Sequence, residues 1–136
     1  MGAMFTQRPD LFNAVVCGVP LLDMMRYHKL LAGASWMAEY GNPDIPEEAA
    51  YISEYSPYQK MGEKDAYPEV LFYSSTRDDR VHPGHGRKMG AKMRELGHSF
   101  LYYENIEGGH AGSSDLKQRA FMDSVQLTYL MQKLMD

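Results

Sequence analysis

Two short segments of the sequence carry an acid and a histidine at positions that suit proton transfer. Residues 76–81 contain Asp78 and Asp79, and residues 107–110 end in His110. Each segment follows an apolar run of the kind that forms a buried strand. A histidine that acts as a general base needs a carboxylate to hold its tautomer and to stabilise the imidazolium that forms. An aspartate from the first segment and His110 could therefore form a catalytic pair.

The attacking group that such a pair would serve is missing from the sequence. In one common order of the catalytic triad, a serine in a Gly-x-Ser-x-Gly turn comes first, the acid second and the histidine last. No Gly-x-Ser-x-Gly occurs in the 136 residues. Cys17 lies within an apolar run, where its sulfur should be packed away from the site. No serine near the pair lies on a glycine-flanked turn from strand to helix, and we reject Ser74, Ser75, Ser113 and Ser114 as replacements.

Three apolar runs must position the acid and the histidine. They cover residues 14–19, 69–74 and 99–104, and segments with helical character separate them. This alternation predicts parallel strands joined by helices. Ligand sites in such sheets form beyond the carboxyl ends of the strands. The two segments should therefore meet at the same edge of the sheet.

The predicted helices have local signals at their ends. Residues 44–55 contain Pro46 followed by two glutamates, and residues 83–96 begin with Pro83 and stop at Gly97. Residues 1–8 resemble the end of another helix. Residues 115–135 contain an apolar stripe that should dock on the sheet, formed by Leu127, Leu130, Met131 and Leu134. We expect an α/β fold with three layers, in which about three parallel strands are flanked by helices, and a single domain over residues 1–136.

Composition excludes several classes of partner. The chain has 14 basic and 18 acidic residues and a net charge of −4, without a block of like charge, so we expect no nucleic acid or anionic membrane as a partner. No apolar stretch is long enough to span a membrane. Residues 1–6 fit the loose myristoylation pattern, which is common by chance. The single cysteine, Cys17, should be a buried small hydrophobe; this fits a reducing compartment and favours a cytoplasmic location.

Several segments in the observed order resemble the prolyl oligopeptidase family of serine peptidases. They are Arg-Asp-Asp-Arg-Val at 77–81, Gly-His at 109–110, Val-Pro-Leu-Leu-Asp-Met-Met-Arg-Tyr at 19–27 and Trp-Met-Ala-Glu-Tyr-Gly-Asn-Pro at 36–43. The resemblance covers nearly the whole chain. It implies that Asp78 is the acid of the triad and His110 the base. It also implies a substrate-binding role for five residues: Arg80 at a peptide carbonyl, Trp36 stacked on the substrate proline ring, and Tyr40, Val81 and Leu21 in the same apolar pocket.

The resemblance carries expectations about activity. It implies the C-terminal part of an α/β-hydrolase catalytic domain that cleaves peptides after proline by acyl transfer, without a cofactor. In this family the serine turn precedes a helix similar to residues 1–12, so the chain is expected to begin just after the nucleophile and to lack the β-propeller. We expect the chain alone to be inactive. The alternative is a non-catalytic module for interaction or complementation that keeps half of the hydrolase fold.

Each of these residues also has an ordinary structural explanation. Asp78 could bond the loop backbone or cap the next helix, and Asp79 competes for either role. Arg80 could pair with Asp79 at the surface, and Trp36 could be a core aromatic. The remaining histidines are expected at the surface or in loops: His28, His82, His85 and His98.

A metal site is the competing chemical interpretation. His82 and His85 lie three residues apart, and Asp78 and His110 could complete a set of ligands. Pro83 places the two histidines at a helix start, where we expect His85 to be exposed. We therefore expect no metal.

The first strand raises a question of association. Residues 14–19 carry no charge, and an unpaired apolar edge invites pairing with another chain. We expect a homo-oligomer, or complementation by another polypeptide, through the exposed edge of strand 14–19.

Overall fold

The sheet consists of three parallel strands in chain order. The computed structural model describes residues 1–62, 66–111 and 113–135. Strands β1 (Val15–Gly18), β2 (Val70–Ser75) and β3 (Phe100–Asn105) form one sheet in the order β1-β2-β3, with both pairs parallel. Each lies within about one residue of a predicted apolar run, which confirms the predicted parallel sheet.

Helices join the strands and also precede and follow the sheet in the chain, and they include the four predicted ones. They are α1 (Gly2–Gln7), α2 (Met37–Tyr40), α3 (Pro46–Tyr55), α4 (Pro57–Lys60), α5 (Gly84–Glu95) and α6 (Leu116–Leu134), with short 3-10 turns at Pro9–Leu11, Tyr27–Lys29 and Leu31–Trp36. Proline occupies the first helical position of α3 and α4, where its missing N–H costs nothing. Asp115 caps α6 by accepting a hydrogen bond of 2.8 Å from the Gln118 amide.

The helices cover the two faces of the sheet and produce three layers. Side chains of α1 and α5 pack on one face around Phe72, which is fully buried. The opposite face carries Leu71 and Leu101, and α6 lies against it. The main core lies between α1, α5 and the first face, and it contains Phe5, Val15, Cys17, Leu22, Met61, Val70, Phe72, Met89 and Met93.

Helix α6 docks through a different face from the predicted one. The prediction that residues 127, 130, 131 and 134 dock on the sheet is wrong, because Leu127, Met131 and Leu134 are 60%, 56% and 59% exposed. Met122 and Tyr129 are buried instead. The Tyr129 hydroxyl accepts a hydrogen bond of 2.9 Å from the Val15 amide and donates one to the Glu69 carbonyl. These bonds to the sheet fix the rotation of the helix, and apolar spacing alone did not reveal them.

The single cysteine is buried in the core, as predicted. Cys17 is 3% exposed, and burial raises the pKa of its thiol to about 11, so it remains protonated at neutral pH. Among the described residues, none of the helices is both long and apolar enough to cross a membrane.

Candidate active site

The loop after β2 is built around the carboxylate of Asp78. Its Oδ1 accepts hydrogen bonds from the backbone amides of Arg80 and Val81, at 2.8 and 2.9 Å. This is the turn that aspartate favours, because the short side chain reaches its own backbone two and three residues on. Asp78 is 5% exposed, so its carboxylate is fixed in a nearly dry position at the edge of the sheet.

The loop after β3 is built in the same way around Asn105. Its Oδ1 accepts hydrogen bonds from the amides of Glu107 and Gly108, at 3.0 and 3.2 Å. Its Nδ2 donates to Gln118 Oε1 on α6 at 3.0 Å. The sequence analysis did not identify Asn105, although an asparagine three residues before a glycine is a recognisable turn signal. Asn105 shapes the turn that leads into His110.

The two loops bring Asp78 and His110 together. Nδ1 of His110 lies 3.1 Å from Oδ1 and 3.0 Å from Oδ2 of Asp78. The aspartate side chain is 1% exposed and the histidine side chain 35%. A carboxylate can only accept, so Nδ1 carries a hydrogen, and in the neutral ring Nε2 keeps its lone pair. Nε2 has no hydrogen-bond partner within the described residues, and the ring is partly open to solvent, so this nitrogen is free to take a proton.

Arg80 and Val81 follow Asp78 directly and differ in exposure. Arg80 is exposed, and among the described residues it forms no ion pair with Asp79. Its carbonyl accepts a hydrogen bond of 3.3 Å from the amide of Ala32, in the turn that ends at Trp36. Val81 is 8% exposed. The arginine side chain is therefore exposed on the loop that also holds Asp78.

Two of the predicted pocket residues, Leu21 and Tyr40, line a cavity of about 180 Å³. The sequence analysis missed Met24, Tyr55 and Pro57, which line it as well; a sequence offers no signal for such contacts between distant segments. The first residues of the chain complete the lining.

Trp36 and Val81 lie outside that cavity. Trp36 is half-buried and packs against a second cluster formed by Met24, Tyr27 and Ile52, to which Leu21 and Tyr40 also belong. The structure thus joins three predicted pocket residues in one cluster. Among the described residues, Val81 belongs neither to the lining of the cavity nor to this cluster.

The prediction for His85 is wrong, whereas His28 lies in the turn Tyr27–Lys29 of the connection after β1, as predicted. His85 is 1% exposed, because its Nδ1 accepts hydrogen bonds from the amides of Leu22 and Asp23 in the loop after β1. The His28 side chain is 6% exposed, and its Nε2 lies 3.1 Å from Asp44 Oδ2.

The histidines of the alternative metal site are engaged in separate hydrogen bonds. His82 Nδ1 accepts a bond of 2.9 Å from the Gly84 amide, and His85 Nδ1 faces the loop after β1. Across the three described ranges, no group of three His, Cys, Asp or Glu side chains could hold a metal ion.

Comparison with known proteins identifies the family of this chain. The model of the prolyl oligopeptidase family matches residues 1–135. The chain belongs to this family. It is 52% identical over 136 residues to the uncharacterized peptidase y4nA of Sinorhizobium fredii, covering all of this chain and 19% of that protein. It is 41% identical over 95 residues to the prolyl endopeptidase of Elizabethkingia miricola, covering 69% of this chain and 14% of that protein.

Solved structures of the prolyl oligopeptidase family share the fold. The post-proline cleaving enzyme from Rickettsia typhi matches 98% of this chain and 19% of its own, with a TM-score of 0.94 and 39% identity. Oligopeptidase B from Leishmania major matches with a TM-score of 0.92 and 26% identity, over 98% of this chain and 19% of its own. The chain is therefore a serine-peptidase relative with the α/β-hydrolase fold, and it spans about a fifth of the length of the proteins that it matches.

Proposed function

We propose that Asp78 and His110 are the acid and base of a serine-type peptidase. The contact between His110 Nδ1 and the buried Asp78 carboxylate supports this proposal, because it leaves Nε2 as the proton acceptor. As a serine hydroxyl attacks the peptide carbonyl carbon, Nε2 takes the hydroxyl proton. It then returns that proton to the leaving amine nitrogen as the C–N bond breaks. Water then hydrolyses the resulting acyl-serine ester, and Nε2 again takes and returns the proton.

The substrate side of the proposal rests on the neighbouring residues. The exposed Arg80 guanidinium can donate hydrogen bonds to a peptide carbonyl. The cluster that contains Leu21, Trp36 and Tyr40 offers an apolar, aromatic surface that suits a proline ring. In this proposal Val81, which follows Arg80 in the chain, contributes to the same pocket. A relative, prolyl oligopeptidase B from Galerina marginata, has been solved with a 35-residue hydrolysis and macrocyclization substrate. Peptides cleaved after proline are therefore the proposed substrates.

The 136-residue chain should not turn over substrate by itself. It contains no Gly-x-Ser-x-Gly turn, and a base without a nucleophile cannot start acyl transfer. In this proposal the chain forms the C-terminal portion of a catalytic domain. The serine, and the backbone N–H groups that stabilise the oxyanion beside it, come from the remaining portion.

A chimera tests the proposal. The matched segment of the Sinorhizobium fredii peptidase is replaced by this chain, and hydrolysis of a proline-linked chromogenic peptide is measured. We expect turnover that His110→Ala lowers by about 10³-fold or more. Asp79→Ala serves as the control, because this exposed neighbour of Asp78 should leave turnover unchanged. Activity that survives His110→Ala would refute the assigned base.

The isolated chain provides the second arm. We expect no hydrolysis of the same peptide. Inhibitor-sensitive turnover that disappears with His110→Ala would show that the predicted inactivity of the isolated chain is wrong, and it would still support His110 as the base.

A second candidate function is complementation through β1. Within the described part of the chain β1 pairs only with β2, so its other edge has no strand beside it. We propose that this edge pairs with another polypeptide, either a second copy or the remaining portion of the family fold. Light scattering should give an oligomer at micromolar concentration. A well-folded monomer that also fails to bind the remaining portion of the y4nA protein would exclude this function.

A further inference from the structure

The loop after β1 depends on a buried histidine from another element. His85 lies in the first turn of α5 and is 1% exposed. Its Nδ1 accepts hydrogen bonds from the amides of Leu22 and Asp23, at 3.3 and 3.1 Å. Because both partners are donors, Nδ1 carries no hydrogen, and the neutral ring holds its proton on Nε2. The imidazole thus serves as an acceptor for two consecutive amides.

The same loop is bonded from a second side by α4. The Leu22 carbonyl accepts a hydrogen bond of 2.9 Å from the Tyr58 amide, and the Met24 amide donates one of 3.0 Å to Ser56 Oγ. The Asp23 carboxylate, 1% exposed in its side chain, is bonded by Gln59 of α4 and Lys88 of α5. The loop is therefore held between two helices.

The backbone that enters this loop is strained. Val19, the first residue after β1, has φ of +44°, in the left-handed region that β-branched residues avoid. Such a conformation persists only when the surrounding structure dictates it. Two residues further on is Leu21, and Met24 follows; both line the 180 Å³ cavity. The hydrogen bonds to His85 fall between these two cavity residues.

We propose that His85 is a positioning residue, which fixes the loop after β1 so that Leu21 and Met24 form one wall of the substrate pocket. The pocket's role rests on the function proposed above, but the positioning itself does not. His85 does not line the cavity; it bonds the backbone of Leu22 and Asp23, which lie between the lining residues Leu21 and Met24. Its action is to accept two hydrogen bonds that no other described side chain accepts.

The electrostatics of the site agree with a neutral ring. Burial, the largest cause, lowers the pKa of His85 to about 4; Asp23 opposes the shift, and His82 and Lys88 add to it. Protonation would place a hydrogen on Nδ1, facing two amide hydrogens. The loop should therefore stay in place at neutral pH and be released in acid near pH 4.

Three variants separate positioning from simple packing. In His85→Asn the amide oxygen can occupy the place of Nδ1 and accept both bonds. In His85→Gln the oxygen lies one bond further out, near the place of Nε2, and in His85→Leu the acceptor is gone. Asparagine is the smallest of these side chains, so a packing role predicts that it is the most harmful; a positioning role predicts that it rescues.

The direct test uses NMR on the 136-residue chain. The ¹⁵N shifts of His85 in the unmodified chain should show the tautomer with hydrogen on Nε2, without titration above pH 5. Amide exchange at Leu22 and Asp23 should be at least about tenfold faster in His85→Gln than in His85→Asn, since each lost bond exposes its amide. A hydrogen on Nδ1, or equal exchange in the two variants, would overturn the proposal.

The chimera supplies the functional readout. His85→Gln should raise KM for the proline-linked peptide about tenfold and change kcat less than twofold, and His85→Asn should restore KM. A loss confined to kcat would overturn the link to the pocket. If the chimera shows no turnover in any form, the proposed function fails, while the NMR result still decides the positioning.

Discussion

Replacing Asp78 by asparagine or alanine separates its structural role from its proposed catalytic role. The carboxylate accepts hydrogen bonds from the amides of Arg80 and Val81 through Oδ1 and faces His110 Nδ1 through both oxygens. Asparagine can keep the first role, because its amide oxygen can take both backbone hydrogens. Its NH₂ group must then face His110. The ring can bond to that group only by shifting its own hydrogen from Nδ1 to Nε2.

The magnitudes differ sharply between the two variants. Asp78→Ala leaves the buried Val81 amide and the partly buried Arg80 amide without an acceptor. We expect the free energy of unfolding to fall by about 2 to 4 kcal/mol, since each stranded buried donor costs about 1 to 3 kcal/mol. Asp78→Asn should cost only about 1 kcal/mol, the part contributed by the charge. In the chimera, however, Asp78→Asn should lower kcat on the order of 10⁴-fold, because Nε2 can no longer accept a proton.

Urea denaturation and ¹⁵N NMR of His110 measure the two effects on the isolated chain. The expected result is a nearly normal midpoint for Asp78→Asn, together with a hydrogen on Nε2 of His110. Asp79→Asn, at the exposed neighbouring position, should change neither quantity. If Asp78→Asn destabilises the chain as much as Asp78→Ala, or leaves the hydrogen on Nδ1, the assignment of the two roles is wrong.

Two further perturbations test the supports of the sheet. Tyr129→Phe leaves the Val15 amide and the Glu69 carbonyl without a partner and should lower the free energy of unfolding by about 1 to 3 kcal/mol in a urea titration. Tyr51→Phe, at an exposed position of α3, is the matched control. An unchanged midpoint for Tyr129→Phe would show that these hydrogen bonds do not hold α6 on the sheet. The half-exposed Arg87, bonded to Glu104, lowers the pKa of that carboxyl to about 2, so its contribution is present above pH 4.5 and is lost as the pH falls toward 2. Glu104→Gln should therefore cost about 1 kcal/mol at pH 7 and progressively less below pH 4.5, and a cost that is the same at pH 7 and pH 3 would contradict this.

Local patterns were enough to predict the strands and most helix ends. The apolar runs predicted all three strands, because helices cover both faces of a parallel sheet and favour apolar strands, although only β2 is buried along nearly its whole length. The docking face of α6 could not be found in this way. Its spacing favoured Leu127 and Met131, but the Tyr129 hydroxyl bonds two backbone groups of the sheet and turns a different face inward. A buried hydrogen bond between segments 114 residues apart leaves no mark in a local window.

The residues of the site also divide into those that local sequence could predict and those that it could not. Asp78 and His110 were predictable because they follow consecutive strands of a parallel sheet and their residue types suit one another. Asn105 was within reach, because its turn is encoded by residues next to it. His85 was not, since the amides that it bonds lie 62 and 63 residues earlier in the chain. Its sequence context, after a proline at a helix start, instead favoured an exposed residue.

The three loops at the carboxyl edge of the sheet are held by the same kind of hydrogen bonding, although the accepting side chain differs from loop to loop. After each strand, a single side-chain atom accepts hydrogen bonds from two backbone amides: His85 Nδ1 after β1, Asp78 Oδ1 after β2 and Asn105 Oδ1 after β3. Only the middle acceptor is a carboxylate, and only that one faces the ring of His110. A charge in this position serves the loop and the base together, whereas a neutral acceptor suffices for the outer loops. In the proposed mechanism the charged residue therefore stands beside the base that takes the proton. Acid should release the loop of His85 before it disturbs that of the uncharged Asn105.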